Sequence, residues 1–518
     1  MDAETIYRRR WVTLSVLSLS LVIIGLDNTI LNVALPTLVR ELGATASELQ
    51  WMVDSYVLVF AGLLLTMGAL GDRFGRKLAL TSGLVIFGVA SVFAAFADSA
   101  TTLIVARSFM GVGGALIMPA TLSIITNIFT GEERGRAIAA WAAVAGLGIV
   151  VGPALGGWLL EHFWWGSVFL INVFIAAIAI ALGFFLVPES KDPKATPLDP
   201  VGAVLSIAGL VSLVYAIIEA PARGWTDGIV LVTFGLAFVL LGVFLWWERR
   251  TEHPMLRLEF FRNPRFSAAS GAITMVFFAM FGTVFLLTQY LQFVLGFSPL
   301  EAGIRVMPVA TMVIAAPLAA RLVEKIGTKI VVAVGLTVVA IAMAWLATID
   351  IDSGYGHVAA TLVLLGLGMG AAMAPATESI MGSLPLAKAG VGSAMNDTTR
   401  QIGGALGVAI LGSILASVYG SEMAPALVGL PPEAAGFAGD SVGGAIGVAN
   451  LIGGELGDSL IAAANQAFIN GMSSAVWVAA GIALLGSVLT WVYLPAKALA
   501  PDDKRAMYGE SESPAGVS

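Results

Sequence analysis

Several ionisable residues stand inside apolar stretches of this 518-residue chain. Asp27 lies in LVIIGLDNTILNVALP, Asp54 in QWMVDSYVLVF and Arg107 in LIVARSFMGVGGA. Glu378 lies in PATESI, and Asp397 and Arg400 share SAMNDTTRQIGG. A charge at the centre of a hydrocarbon layer costs about 3 kcal/mol or more, so such groups are kept where they bind or release something. A buried acid can hold a proton or a cation, but not both easily. Asp27, Asp54, Arg107, Asp397 and Glu378 are therefore the candidate residues for binding a substrate or a proton. Plainer roles stand beside these. Asp27 can be purely structural, and Asp54, close to Trp51, can be solvated or paired with Arg107. Asp397 and Arg400 are three apart on one helical face and can pair with each other. Glu378 can pair with Lys388.

These residues must be positioned by a membrane-embedded framework. The chain is 58% hydrophobic and only 12% charged, about half the charged share of soluble domains. Its net charge of −7 gives no reason to expect a nucleic-acid partner. There is no cysteine, which excludes disulfides, thiolate metal sites and thiol nucleophiles. His162, His253 and His357 are scattered between apolar runs, and nothing calls for a metal or a cofactor. A membrane enzyme would need clustered His, Asp or Glu at an interfacial loop, and the sequence has no such cluster.

Runs long enough to span a bilayer lie near 11–35, 49–69, 78–97, 102–123, 136–160 and 167–187. Two more, near 200–219 and 228–247, sit between PESKDPKATPLDP and the charged ERRTEHPMLRLEFFRNPRF. Six others lie near 267–294, 300–321, 329–348, 357–380, 390–417 and 471–496. That is about fourteen helices. The start, basic and then apolar, has the look of a signal peptide, but its apolar run is long and lacks a small-residue cleavage site. It reads as an uncleaved first span. Of the 27 Lys and Arg residues, only Arg40 and Arg223 fall on the outer segments, and Arg107, Arg305 and Arg400 lie within spans. The rest lie on the other side, which places both termini in the cytoplasm of a plasma-membrane protein. At 1.5 Å per residue, Asp27 is then roughly 12 Å below the outer end of its helix, and Asp54 and Arg107 roughly 7 Å. Thr13, Ser20 and Asp27 recur every seven residues, on one stripe expected to face inward to a cavity.

The chain repeats itself. GALIMPATLSI (114–124) matches GAAMAPATESI (370–380), GDRFGRK (71–77) is echoed in LVEKIGTK (322–329), and Gly148 and Gly152 match Gly403 and Gly407. The expected fold is all-α, two six-helix bundles with two helices inserted between them, and parallel repeats of this kind place a transport site between the halves. The expected units are an N-terminal bundle (1–187), the inserted pair with its linkers (188–266) and a C-terminal bundle (267–498). An outer helical hairpin is expected near 418–470, and the polar tail (499–518) is expected to be disordered.

GALGDRFGRKLAL resembles the loop signature of the major facilitator superfamily, with the G-x-L-x-D-R-x-G-R-K core complete. GIVVGPALGG (148–157) resembles the fifth-helix signature of that superfamily's drug antiporters. LDNTILNVALP and QWMVDSY resemble the first two helices of its fourteen-helix, EmrB/QacA-type multidrug exporters. The fourth-helix motif departs at Met110, where a glutamine is usual, but keeps Arg107. The resemblance implies a major facilitator fold and export of lipophilic, mainly cationic drugs and biocides in exchange for protons, by alternating access. A narrow-range exporter of one endogenous lipid or antibiotic is the rival reading. The resemblance also implies conformational roles for Asp72, Arg73, Gly75 and Arg76, and for Gly152 and Pro153, whose glycine-rich face is expected to pack against the opposite bundle. The family places an acid near Asp397. Partners are thus small lipophilic cations, protons and the lipid bilayer.

Overall fold

The computed structural model describes residues 3–129, 131–191, 198–383 and 389–495. Lys388 and the tail at 499–518 lie outside the described residues. Among the described residues there is no strand, and thirteen helices are long and apolar enough to cross a membrane.

The first bundle comprises α1 (Ala3–Leu42), α2 (Ala46–Phe74), α3 (Arg76–Ala95), α4 (Ala100–Ile128), α5 (Gly131–His162) and α6 (Ser167–Leu186). The inserted pair is α7 (Pro200–Arg223) and α8 (Gly228–Glu248). The second bundle opens with α9 (Pro264–Gln289), which ends in a π turn at Tyr290–Val294. Its next helix is broken into α10 (Pro299–Val306), a 3-10 turn at Met307–Ala310, and α11 (Thr311–Ile326). The apolar run at 300–321 looks continuous in sequence, but Pro308 cannot donate to the ladder, and the chain tightens there. The bundle continues with α12 (Thr328–Leu346), α13 (Tyr355–Gly382) and α14 (Ala389–Met423). After the short α15 (Pro432–Asp440) and α16 (Val442–Ile452), α17 (Gly454–Tyr493) begins well before the expected start at 471. Its polar first turns extend beyond the apolar stretch that the sequence marks.

The internal repeat is visible in the packing. A Cβ on Gly83 of α3 would lie 2.9 Å from the Gly113 carbonyl oxygen on α4, and one on Gly335 of α12 would lie 2.8 Å from that of Gly368 on α13. Glycine is required where backbones approach this closely. The fifth helices behave alike: Gly148, Gly152 and Gly156 of α5 pack on α1 at Gly25–Ile30, as Gly403 and Gly407 of α14 pack on α9 at Thr274 and Phe278.

Two ends of the molecule can be distinguished: a basic end, carrying Arg73, Arg76, Lys77 and the linker between α8 and α9, and the opposite end. At and towards the opposite end the halves are joined by hydrogen bonds. The Gln292 amide donates to the Val33 carbonyl (2.9 Å), the Ala46 N–H to Asp440 (2.8 Å) and the Leu300 N–H to Glu161 (3.3 Å). Helix α7 lies along both α2 and α14, where Ser413 donates to the Ile217 carbonyl at 2.7 Å. The outer surface of α8 carries exposed Val232 and Phe238, and α6 exposes Phe184 and Phe185. A belt of such side chains suits lipid contact.

Candidate functional site

Four helices of the first bundle meet at one buried ion pair. The Arg107 Nη1 of α4 donates to Oδ2 of Asp27 on α1, and both side chains are buried. The Asn172 amide of α6 donates to the other oxygen, Oδ1, at 3.2 Å. Arg107 Nε donates to the Met52 carbonyl of α2 at 3.0 Å, and its guanidinium lies 4.5 Å from the centre of the Tyr56 ring. The pair therefore ties α1, α2, α4 and α6 together. Arg suits this place because its fork serves a carboxylate, a carbonyl and a ring face at once.

This geometry corrects two expectations. Thr13, Ser20 and Asp27 are indeed buried, but the stripe turns into its own bundle: Thr13 donates to the Leu186 carbonyl at the end of α6 (3.0 Å), and Asp27 meets Asn172 of the same helix. The carboxylate is locked between neighbouring helices and does not line the cavity between the halves. Secondly, Asp54 is neither solvated nor paired with Arg107. It is wholly buried, and among the described residues neither of its oxygens has a hydrogen-bond partner. It stands one turn beyond Gln50, whose side chain meets Gly412 and Ser413 of α14 (Ser413 hydroxyl to Gln50 Oε1, 3.5 Å). Residues four apart share a helical face, so Asp54 stands on the side of α2 turned towards the second bundle.

The cavity lies between the halves. About 540 Å³ of space free of protein atoms, open solvent included, adjoins Thr29 and Asn32 of α1, Pro153 of α5, Met280 and Phe281 of α9, and Met307 and Met312 at the α10–α11 break. Among the described residues no charged side chain lines it. Methionine and phenylalanine give a soft, adaptable wall.

The other predicted residues lie apart from this region. Asp397 and Arg400 of α14 form an i, i+3 ion pair at 3.6 Å, and the Arg400 guanidinium also donates to Thr377 (3.3 Å) and lies 5.5 Å from the Phe277 ring centre. Asp397 is about eight residues, or roughly 12 Å, from the start of its helix at the basic end. Glu378 is exposed, so it is not a buried acid.

At the basic end, the Arg76 Nε donates to Asp72 at 2.7 Å, the Arg76 N–H to the Ser190 carbonyl at 2.8 Å, and Lys77 to the Phe184 carbonyl at 2.9 Å. Gly75 takes φ +133°, a conformation open to glycine, and its N–H closes α2 on the Gly71 carbonyl. Arg73 lies over the Phe74 ring at 5.6 Å. These contacts join the α2–α3 turn to the end of α6 inside the first half.

The glycine-rich face of α5 also differs from expectation. Gly148, Gly152 and Gly156 meet α1 of their own bundle, because side-chain-free rows let the first and fifth helices close on each other. The second half is met by other positions of the helix: Gly157 against Pro299 and Leu300, and the Pro153 carbonyl against Gly303. Sequence reasoning passed over Asn172, Tyr56 and Asn32. The signal for Asn172 was present as a lone amide in the apolar SVFLINVFIAAIAIALGFFL.

Comparison with known proteins agrees with this architecture. A bacterial homologue of the human lysosomal transporter Spinster, solved inward-facing and unoccupied, has a TM-score of 0.65 at 19% identity, covering 95% of this chain and 99% of its own. The inward-open xylose transporter XylE of E. coli has a TM-score of 0.59 at 14% identity, covering 96% of this chain and 99% of its own. At these identities the likeness concerns the fold. In sequence, the chain is 37% identical over 487 residues to the multidrug efflux pump LfrA of Mycolicibacterium smegmatis (93% of this chain, 96% of the relative). It is 36% identical over 489 residues to the methyl viologen resistance protein SmvA of Salmonella typhimurium (94% and 98%). It is 32% identical over 490 residues to the tetracenomycin C resistance and export protein of Streptomyces glaucescens (93% and 91%). The family described as Major Facilitator Superfamily matches residues 17–408. With that match and relatives alike along nearly its whole length, the chain belongs to the major facilitator superfamily of membrane transporters.

Proposed function

We propose that this transporter is a proton-coupled antiporter of the fourteen-helix, EmrB/QacA-type branch, exporting lipophilic, mainly cationic compounds by alternating access. The observation that carries the reading is the buried ionisable trio of the first bundle, Asp27 paired with Arg107 and Asp54 without a partner, behind an apolar cavity between two repeated halves. The relatives named for multidrug efflux and methyl viologen resistance support the substrate class. The basic end faces the cytoplasm by the distribution of Lys and Arg, so both termini are cytoplasmic and the hydrogen-bonded end is the outer one. In the arrangement described, the outer face is closed.

Asp54 stands on the interface that must open for the outer face to admit protons, and nothing around it satisfies its oxygens. It is the better placed of the two acids to exchange a proton as the halves rock. Asp27 acts through Arg107: loss of its charge frees the arginine that holds α2 and α4 together. Asp397, Glu378 and the Asp72–Arg76 turn take part at the cytoplasmic end, with Gly152 and Pro153 on the helix that meets both halves.

The test is ethidium movement into vesicles holding the purified chain, with and without an imposed pH gradient. Wild type is expected to move ethidium only with the gradient, and Asp27→Asn and Asp54→Asn each to lose that drive. Full gradient-driven movement in both variants would defeat the assignment. An exporter of one neutral compound is the rival, favoured by the uncharged cavity wall and by the relative named for tetracenomycin C export. A wild type that ignores ethidium and moves a single neutral compound supports it.

A further inference from the structure

The cavity between the halves has almost no polar chemistry. Among the described residues its polar side chains are the Thr29 hydroxyl and the Asn32 amide, both on α1 and three residues apart. The Thr29 hydroxyl is already committed, donating to the Gly25 and Leu26 carbonyls at 3.3 Å each. Asn32 differs. Its Nδ2 donates to the Asn28 carbonyl one turn back at 3.3 Å, and a carbonyl can only accept. That contact fixes the orientation of the amide, leaving Oδ1 buried with no hydrogen-bond partner among the described residues. The residue is 2% exposed. An amide oxygen left unpaired among apolar side chains is costly, so a bound molecule that reaches it with a donor as the halves part gains there what the empty protein lacks.

We infer that Asn32 is a specificity-determining residue, whose Oδ1 accepts a hydrogen bond from an N–H or O–H of a molecule seated against Met280, Phe281, Met307 and Met312. The inference deepens the export reading and rests on it for the role of the cavity. It divides lipophilic cargo into two classes. Compounds with an aromatic amine or hydroxyl gain a directed bond at Asn32. Compounds without a donor, such as tetraphenylphosphonium, are held by dispersion and ring contacts alone. This is the asymmetry by which a site built around one polar group discriminates against analogues that lack its partner.

The experiment compares two cationic probes on the full-length protein in detergent: ethidium, with two aromatic amines, and tetraphenylphosphonium, with none. Equilibrium binding is measured for wild type and Asn32→Ala. Removing the acceptor is expected to weaken ethidium binding roughly tenfold, and to leave tetraphenylphosphonium within about twofold. Asn32→Leu, which keeps the volume without an acceptor, repeats the test if truncation loosens α1, and unchanged tetraphenylphosphonium binding reports that the cavity is intact. Equal losses for both probes would make Asn32 a packing residue and overturn the inference. Unaltered ethidium binding, or a wild type that binds neither probe, does the same. Failure of the export reading shows separately: probes that bind with this selectivity yet are not moved by a pH gradient leave Asn32 standing and remove the proton coupling.

Discussion

Asp27 and Arg107, eighty residues apart in sequence, form a wholly buried ion pair, whereas Asp54 of the neighbouring helix has no hydrogen-bond partner among the described residues. The two acids are alike in sequence setting and opposite in structural setting. One is part of the scaffold that joins α1, α2, α4 and α6. The other is a buried carboxyl on the face turned towards the second bundle.

The ion pair predicts a clear mutational asymmetry. Arg107→Ala leaves Asp27 buried without its cation, which costs about 3–5 kcal/mol in comparable buried pairs. The double variant Asp27→Asn with Arg107→Gln removes both charges and is expected to recover most of that loss. Thermal unfolding midpoints of the purified proteins check this. A double variant no more stable than Arg107→Ala would mean that the arginine's contacts to Met52 and Tyr56, and not its pairing, carry the stability.

The contact between halves at the closed end depends on a missing side chain. A Cβ on Gly303 of α10 would lie 2.6 Å from the Pro153 carbonyl carbon of α5, a backbone atom that cannot turn aside. Gly303→Ala is expected to cost about 1–3 kcal/mol by overpacking. Gly242→Ala on α8 is the control, since a Cβ there meets nothing within 4 Å and alanine favours the helix. Unfolding midpoints that drop for the first and hold or rise for the second confirm the close approach. Equal midpoints would show that α5 and α10 can separate freely at this point.

The hairpin of α15 and α16 carries a pH dependence of defined sign. Asp440, between the spans, accepts the Ala46 N–H at the start of α2. Its burial, with the charge of Glu48 nearby, raises the carboxyl above its ordinary value, although the Ala46 hydrogen bond opposes the shift. The docked form therefore keeps a proton at a pH where the undocked form has lost it. Docking strengthens as the pH falls from the raised value towards the ordinary carboxylate range, and that extra stability is lost as the pH rises through the raised value. Hydrogen exchange over 432–452, corrected for intrinsic rates, is expected to slow in mild acid and to lose this dependence in Asp440→Asn. Protection that increases with pH contradicts it.

Much of the architecture was legible in the sequence because its causes are local. Spans follow from apolar length, and the two halves from the repeated glycine and proline spacings. Other features were not legible. The α10–α11 break needs Pro308 to matter more than the continuity of the run around it. The early start of α17 needs neighbours that accommodate its polar turns. The glycine row of α5 has the same spacing whether it faces α1 or the other bundle, and only helix rotation in the packed structure distinguishes them.

The sequence by itself determined that this is a polytopic membrane protein built from two copies of one bundle, with acids and an arginine too costly to sit in apolar helices by accident. The tertiary structure decided which charges meet. Pairing depends on the rotation, tilt and depth of each helix against its neighbours, and one ångström or one turn exchanges partners. That is why Arg107 went to Asp27, why Asn172 joined it, and why Asp54 was left unpartnered on the face turned to the second bundle.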